Sequence, residues 1–559
     1  MNNSIIFYDA TTKLINPYDE VFNSKKLVEI FIDYDKSIDE VLTNIINYNL
    51  VNEEYTNIIL PACFGKVLAD FLGLRLAIHI RCTPAINQYK NIFLYSFTGL
   101  KDYFSSESFN ILKTQGVFLI DYDVNTIINK TLEEDTYLHK EKLISEVKKL
   151  DLQIPLNYED NHSIANEWAI YKWSQTIDAN DQDIEKIESK LENDLYFKYL
   201  KTIYPIGTSD TLNNDDLKIN FEGNPKVLYI DDEAEKGWYD IFCKIFNDEN
   251  NIHFRHLDDE FNEKNKNEII DISLNTIIND DIDLVILDFR LHKEDFENNS
   301  IENITGYQIL KKIKNHNKGI QVTIFSATNK IWNLQALQKA GADGFIIKES
   351  PENSDDSEFT KKSIKNFIST TEECLSRSFL KYFFNNCDKI QQNISRPYSD
   401  LKSPFDDFKK ELLVSLKIIS DSANNIDLSV SSSLDVVFLN CYNFLEKFKH
   451  FYIKEIKFKL VLGFEEVEMN RYYFKNKLIN EGEFIRNNTS DNPSFFHSVI
   501  AILIDYFEII NADNINIEKI YQIKESRNNY IHNDKSNFNI NEISDIINVC
   551  KIITDNLKD

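Results

Sequence analysis

Four short apolar runs between residues 226 and 350 each lead into side chains capable of chemistry, and no other feature restricts the fold as strongly. Lys226-Val-Leu-Tyr-Ile230 leads into Asp231, Asp232 and Glu233, and Leu284-Val-Ile-Leu287 into Asp288. Val322-Thr-Ile-Phe325 leads into Ser326, and Gly344-Phe-Ile-Ile347 into Lys348. Helical periodicity separates the runs, as in Gly306 to Ile313 and Leu334 to Lys339. Brief apolar runs joined by helices mark parallel strands buried on both faces, so the segment predicts a β/α alternation. In such a sheet functional groups collect at the carboxyl ends of the strands, which puts the acids, the hydroxyl and the lysine along one edge.

A fainter copy precedes it. Asn57-Ile-Ile-Leu60, Gly73 to Arg81, Ile92-Phe-Leu-Tyr-Ser96 and Lys113 to Ile120 follow the order of Leu284 to Leu287, Gly306 to Lys314, Thr323 to Ser326 and Lys339 to Lys348. In this alignment Pro61 takes the place of Asp288, Ile120 that of Lys348, and Ser96 that of Ser326. The first copy therefore reads as a degenerate repeat without the reactive charges. Residues 127 to about 205 read as a helical connector. Within it Trp168, Trp173, Ile164 and Ile170 are expected to form a packed helix face. Polar, acidic stretches at Thr208 to Asp216 and Glu352 to Ser357 mark linkers. From about residue 358 the sequence reads as helices throughout: Phe359 to Gln392, Phe405 to Ile419, Leu434 to Tyr452, Phe495 to Ile510, Ile515 to His532 and Ile543 to Leu557.

The expected architecture is multidomain α/β plus all-α: two flavodoxin-like parallel-sheet domains, the first degenerate, followed by a C-terminal helical bundle. The boundaries are 1–125, 126–224 for the connector, 225–352, 353–400 for a linking helix, and 401–559. With 559 residues, 42% of them hydrophobic, and only 13 Gly and 10 Pro, the chain can bury several cores and is neither fibrous nor largely disordered. Its formal net charge of −28 disfavours a basic nucleic-acid coat. Seven cysteines without a C-x-x-C pair argue against a disulfide framework and a cysteine zinc site, and fit a reducing cytoplasm. No export signal and no membrane span are expected.

Carboxylates gathered at strand ends repel one another unless a divalent cation or an added group offsets their charge, and Mg²⁺ suits an oxygen-only set. A lysine and a hydroxyl on the same pocket supply a cation and a donor for the oxygens of a phosphoryl group carried on a carboxylate. Alone, a Ser after a strand is a turn residue and a Lys at a strand end is solvated; together and in this order they define a site. Residues 226 to 350 resemble the receiver domain of bacterial two-component response regulators. The resemblance implies Asp288 as phosphoacceptor, with Asp231, Asp232 and Asp288 as the Mg²⁺ ligands. It also implies Ser326 as the switch hydroxyl, Lys348 as the phosphate-binding lysine, Phe345 as the aromatic switch residue, and a histidine kinase or small phosphodonor as partner. One departure is the long segment from Asp288 to Gly306, with His292, Lys293, Glu294 and Asp295 inserted beside the pocket. The first copy is expected to be a pseudo-receiver used for packing or dimer contacts.

Near the C-terminus Ile517, Ile520, Ile523 and Tyr530 trace an apolar stripe, and Arg527, Asn528 and His532 follow on the same segment. Five residues of ideal helix rotate by about 140° net, so Arg527 and His532 share no face unless the helix ends between them or two chains bring them together. A histidine near neutral pKa can move the protons of RNA cleavage while an arginine steadies the phosphate. The Arg-Asn-x-x-x-His pattern resembles the HEPN superfamily, whose active members are metal-independent ribonucleases that usually pair two motifs across a dimer. By that resemblance Arg527, Asn528 and His532 are the catalytic residues, RNA is the substrate and the chain is a homodimer, serving stress or phage defence. The bland alternative is a helix terminus with His532 facing the dipole and Arg527 on the surface. His497, on an apolar helix, is expected to be a core histidine. The two functional readings are thus a phosphorylation-controlled ribonuclease and a non-catalytic adaptor whose helical domain docks a separate effector.

Overall fold

The structure is a computed structural model that describes residues 3–557, apart from residues 13, 24, 133–137, 155–160, 180–181, 207–210, 247–250, 258–260, 262, 297–299, 328–330, 352–356, 398–404, 431, 453, 457–458, 463–464, 469–470, 475–476 and 533–536. Within 481–516 it describes only residues 499 and 503. The first domain contains β1 (Ile5–Tyr8), β2 (Lys26–Glu29), α1 (Ile38–Asn49), β3 (Asn57–Pro61), α2 (Leu72–Cys82), β4 (Asn91–Ser96), β5 (Val117–Asp121) and α3 (Val124–Leu132). Its strands are all parallel, in the order β2-β1-β3-β4-β5. β3 and β4 are buried along their whole length, which explains why they read as continuous apolar runs.

The connector supplies α4 (Leu143–Lys148), α5 (Asn161–Ile177), α6 (Gln182–Asn193) and α7 (Leu195–Ile203). Ile164, Trp168, Ile170 and Trp173 are all fully buried, so this stretch of α5 is the packed face expected from the sequence.

The central domain contains β6 (Lys226–Ile230), α8 (Trp238–Ile245), β7 (His253–Leu257), α9 (Lys266–Asn279), β8 (Leu284–Leu287), α10 (Thr305–His316), β9 (Gln321–Ser326), α11 (Ile331–Lys339), β10 (Gly344–Ile347) and α12 (Ser357–Ser376). Its parallel order, β10-β9-β8-β6-β7, is that of the first sheet. One apolar cluster runs from Ile5 and Ile58 through Trp168 and Trp173 to Trp238, Phe325 and Phe367, joining the first domain, the connector and one face of the central sheet. A second, with Leu228, Leu287 and Ile324, fills the opposite face. The sequence assigned the residues after 352 to a linking helix, but α12 packs on β9 and β10 through Ile364 and Phe367 and completes the central layer.

Beyond it, α13 (Phe379–Ser395), α14 (Phe405–Asn424), α15 (Ser433–Tyr452) and the helices Ile517–Ile531 and Ile540–Asp555 share a core that includes Phe384, Leu412, Phe438 and Cys550. The expectation of helices throughout this third needs correction. Lys454–Ile456, Lys459–Leu462 and Glu465–Glu468 pair as antiparallel strands, and Arg471–Phe474 pairs with Lys477–Asn480. The signal was present as short runs containing branched and aromatic residues, such as Lys459 to Leu462 and Arg471 to Phe474. The expected helix Phe495 to Ile510 and His497 lie outside the described residues, apart from positions 499 and 503. Among the described residues no helix is long and apolar enough to cross a membrane. All seven cysteines are free thiols.

Candidate functional site

Neighbouring strands β6 and β8 pair with Ile230 opposite Leu287, so the next residues, Asp231 and Asp288, leave the sheet side by side. The Asp288 N–H donates to the Ile230 carbonyl at 2.9 Å. On the other side, the Lys348 N–H donates to the Ser326 carbonyl at 2.9 Å, fixing the lysine beside the end of β9. The Lys348 side chain reaches back across the sheet edge. Its Nζ lies 2.6 Å from Asp231 Oδ2 and 3.3 Å from Asp288 Oδ1. Asp231 and Asp288 are fully buried and Lys348 is 1% exposed. Ser326 is buried at its strand end, and Phe345 lies half-buried against the apolar cluster beneath.

The hydrogen bonds sort the acids. Asp231 accepts from Tyr229 Oη at 2.5 Å and from the Glu233 N–H at 2.8 Å, whereas Asp288 accepts from the Arg290 N–H at 2.8 Å. Burial works against the Asp231 carboxylate, but the Lys348 charge and these donors outweigh it and hold its pKa below the ordinary value. Asp232 keeps an exposed outer edge. Burial of its inner side, then the charges of Asp231 and Asp288, push its carboxyl up to about 8. Burial also opposes the Lys348 ammonium, yet Asp231 and Asp288 hold its pKa well above that of a free lysine.

The oxygen donors and the surplus of negative charge fit Mg²⁺. Among the described residues no three acids already form a metal-spaced cluster. Lys348 instead bridges Asp231 and Asp288, so a cation here would be held by carboxylates of this set together with water, a common arrangement for Mg²⁺.

The long segment after Asp288 is folded around a residue whose importance the sequence did not reveal. Asp295 is fully buried and accepts from the N–H groups of Leu291 (3.1 Å), His292 (3.2 Å) and Thr305 (3.2 Å), and from Thr305 Oγ1 (3.1 Å). Lys266 Nζ pairs with it at 2.7 Å. The insertion is thus pinned to α9 and to the start of α10. Its only advance signal was an acid among polar residues, which ordinarily indicates a solvated loop.

The first sheet repeats the pocket's backbone with other side chains. The Gly73 N–H donates to Ala62 O and the Gly306 N–H to Phe289 O, each at 3.2 Å. Both glycines allow a helix to start against the preceding strand end: a Cβ would lie 2.0 Å from Pro61 O at Gly73 and 2.4 Å from Asp288 O at Gly306. Pro61 therefore holds the Asp288 position, as the sequence indicated. The expected match of Ile120 with Lys348 is wrong by two residues. The Tyr122 N–H donates to Ser96 O at 2.8 Å, the bond that Lys348 makes to Ser326, so Tyr122 is the counterpart. β5 runs on through Asp121, which pairs with Ser96 as Ile347 pairs with Ser326. One acid also survives, since the register of β1 on β3 puts Tyr8 at the Asp231 position and Asp9 at the Asp232 position. Asp9 serves its loops, accepting from the Thr11 N–H at 2.8 Å and the Gly65 N–H at 3.0 Å.

The C-terminal motif is only partly assembled. Arg527 and Asn528 lie half-buried near the end of the helix Ile517–Ile531, and His532 follows it, exposed. The Arg527 guanidinium stacks over Tyr442 of α15, 5.2 Å from the ring centre, and donates to Asn528 Oδ1 at 3.4 Å. The His532 N–H donates to Asn528 O at 3.0 Å. Within one chain the arginine is thus engaged with the bundle while the histidine faces solvent. A separate polar cleft of about 1120 Å³ lies between α1, α2, α5, α6 and the loop Ser105–Ser108, with Lys236 at its edge. Its charged lining includes the pairs Arg75–Asp39 and Lys190–Glu167, which makes it a seam between packed units rather than a second acid pocket.

The first and central domains are thus two parallel-sheet α/β layers of the same strand order, and comparison with known proteins identifies the first as receiver-like. Residues 10–120 match the family described as Inactive Receiver domain. Solved structures similar to the chain include NtrX from Brucella abortus, at 19% identity over 36% of this chain and 40% of that one, with a TM-score of 0.20. NtrX in complex with ADP matches at 18% over 36% and 34%, TM-score 0.21, and NtrX in complex with ATP at 15% over 52% and 72%, TM-score 0.23. The chain thus spans well under half the length of the first two structures. No curated protein matches it.

Proposed function

We propose that the chain is a response-regulator-like signalling protein in which phosphorylation of Asp288 governs the C-terminal helical domain, while the first domain serves as a non-phosphorylated scaffold. The observation that carries this reading is the buried Lys348 bridging Asp231 and Asp288 at adjoining parallel strand ends, with Ser326 beside it. A histidine kinase or a small acyl phosphate would be the donor. An Asp288 carboxylate oxygen attacks phosphorus, the bond to the donor's leaving group breaks, and that group departs with the electron pair. Lys348 then transfers its ion pair from the carboxylates to the phosphoryl oxygens, and the Ser326 hydroxyl donates to one of them. Mg²⁺, held by acids among Asp231, Asp232 and Asp288, would supply charge neutralisation for those oxygens.

For the output, engagement of Arg527 with Tyr442 favours an adaptor, whose helical domain binds a separate effector when Asp288 is modified. A HEPN-type ribonuclease is the second reading, supported by the exposed His532 just beyond Arg527 and Asn528, which a homodimer would bring against the partner's motif. Expression of wild type, Asp288→Ala and His532→Ala with RNA profiling separates the two. Under the adaptor reading the RNA fragment pattern is the same in all three. Fragments present in wild type and lost in His532→Ala establish the nuclease.

A further inference from the structure

The acid pocket is gripped from outside its own domain. Asn166, on connector helix α5, is 2% exposed and bonded at both ends of its amide. Its Nδ2 donates to Glu233 Oε2 at 2.5 Å, and its Oδ1 accepts from Trp238 Nε1 at 2.5 Å. Both partners belong to the pocket wall. Glu233 directly follows the acid pair, and its N–H holds Asp231 Oδ1. Trp238 opens α8, and Lys348 Nζ lies 5.5 Å from its ring centre.

Two further contacts tie the same helix to this wall. Gly237, at φ +117°, turns the chain so close beneath α5 that a Cβ would lie 2.9 Å from Ile170 Cγ2. Two turns along from Asn166, Trp173 packs against Trp238 at 5.4 Å and against Phe325 at 5.6 Å. Phe325 precedes Ser326, and Lys348 Nζ lies 5.1 Å from its ring centre. Packing alone does not call for an amide at position 166. A buried amide with both ends bonded fixes the angle of what it holds, as groups behind a ligand do in metal sites.

We infer that Asn166 is a positioning residue of the central pocket: by holding Glu233 and Trp238 it sets the Asp231–Asp232 loop in the geometry that takes Mg²⁺, so that pocket competence depends on the connector. The inference rests on the reading of this pocket as the Mg²⁺-dependent phosphoacceptor site. Asn166→Asp keeps an acceptor for Trp238 but sets a second carboxylate against Glu233. Glu233→Ala removes the same grip from the other side.

The test is Mg²⁺ titration of the full chain by calorimetry and tryptophan fluorescence, with circular dichroism and the thermal midpoint measured in parallel. Either variant is expected to bind Mg²⁺ about 10-fold more weakly while retaining its fold, and the double variant no more weakly than the worse single one. If Asn166→Asp does not fold, Glu233→Ala decides alone. Wild-type affinity in a folded variant overturns the inference and leaves the pocket reading intact. Wild type that binds no Mg²⁺ overturns the pocket reading and the inference with it.

Discussion

Lys348 Nζ lies 2.6 Å from Asp231 Oδ2, and neither side chain has appreciable contact with solvent. A buried pair of this kind is weak evidence of net stability, because desolvation opposes the attraction, but removing one partner leaves the other charge stranded. Lys348→Met should therefore destabilise the folded chain by about 3–5 kcal/mol, measured by urea denaturation. Lys348→Met combined with Asp231→Asn should recover part of that loss. Independent, additive effects of the two substitutions would contradict the coupling drawn here.

Asp232 gives the pocket a pH signature. Its folded pKa, pushed up to about 8, exceeds that of an unfolded aspartate, so from about pH 4 to pH 8 the folded chain retains a proton that the unfolded chain has lost. Stability from this group therefore falls as pH rises through that window, by less than the full shift implies because its outer edge is in water. Mg²⁺ should flatten the slope and release protons on binding at pH 6 to 7, which calorimetry in buffers of different ionisation enthalpy detects. Asp232→Asn should show neither effect.

The equivalent glycines test the repeat directly. Gly73→Ala and Gly306→Ala must each push a helix start off a strand-end carbonyl, whereas at Gly99 an added Cβ meets nothing within 4 Å. The first two substitutions should each cost about 1–3 kcal/mol in thermal or urea denaturation, and Gly99→Ala well under that. Equal effects at all three positions would count against the shared architecture.

The central sheet was legible because buried parallel strands leave apolar runs with nothing else to explain them, and because strand ends place chemistry at predictable positions. Pro61 was found for the same reason. Tyr122 was missed because Val117 to Asp121 contains no residue that fixes register, and only the hydrogen bond to Ser96 O does so. Asn166 and Asp295 were invisible as site residues for a deeper reason. Their roles come from contacts to Glu233 and Lys266, 67 residues downstream and 29 upstream, and short polar side chains carry no periodicity that announces a distant partner. The strands from Lys454 to Asn480 were lost to the helical periodicity on either side.

The first domain should remain unmodified under any phosphodonor, since its pocket offers Pro61 and Tyr122 where the central one offers Asp288 and Lys348. Peptide mapping of the treated chain should find no acyl phosphate among residues 1–125. A modified Asp9 would contradict this.

The most direct test of the account is intact-mass measurement after incubation with acetyl phosphate and Mg²⁺. Wild type should gain the mass of one phosphoryl group, slowly because Asp288 is closed off, and should lose it again in mild base. Asp288→Asn should gain none, and chelation of Mg²⁺ before the donor is added should prevent the gain in wild type. Equal modification of wild type and Asp288→Asn, or none in wild type under conditions that keep it folded, would contradict the account.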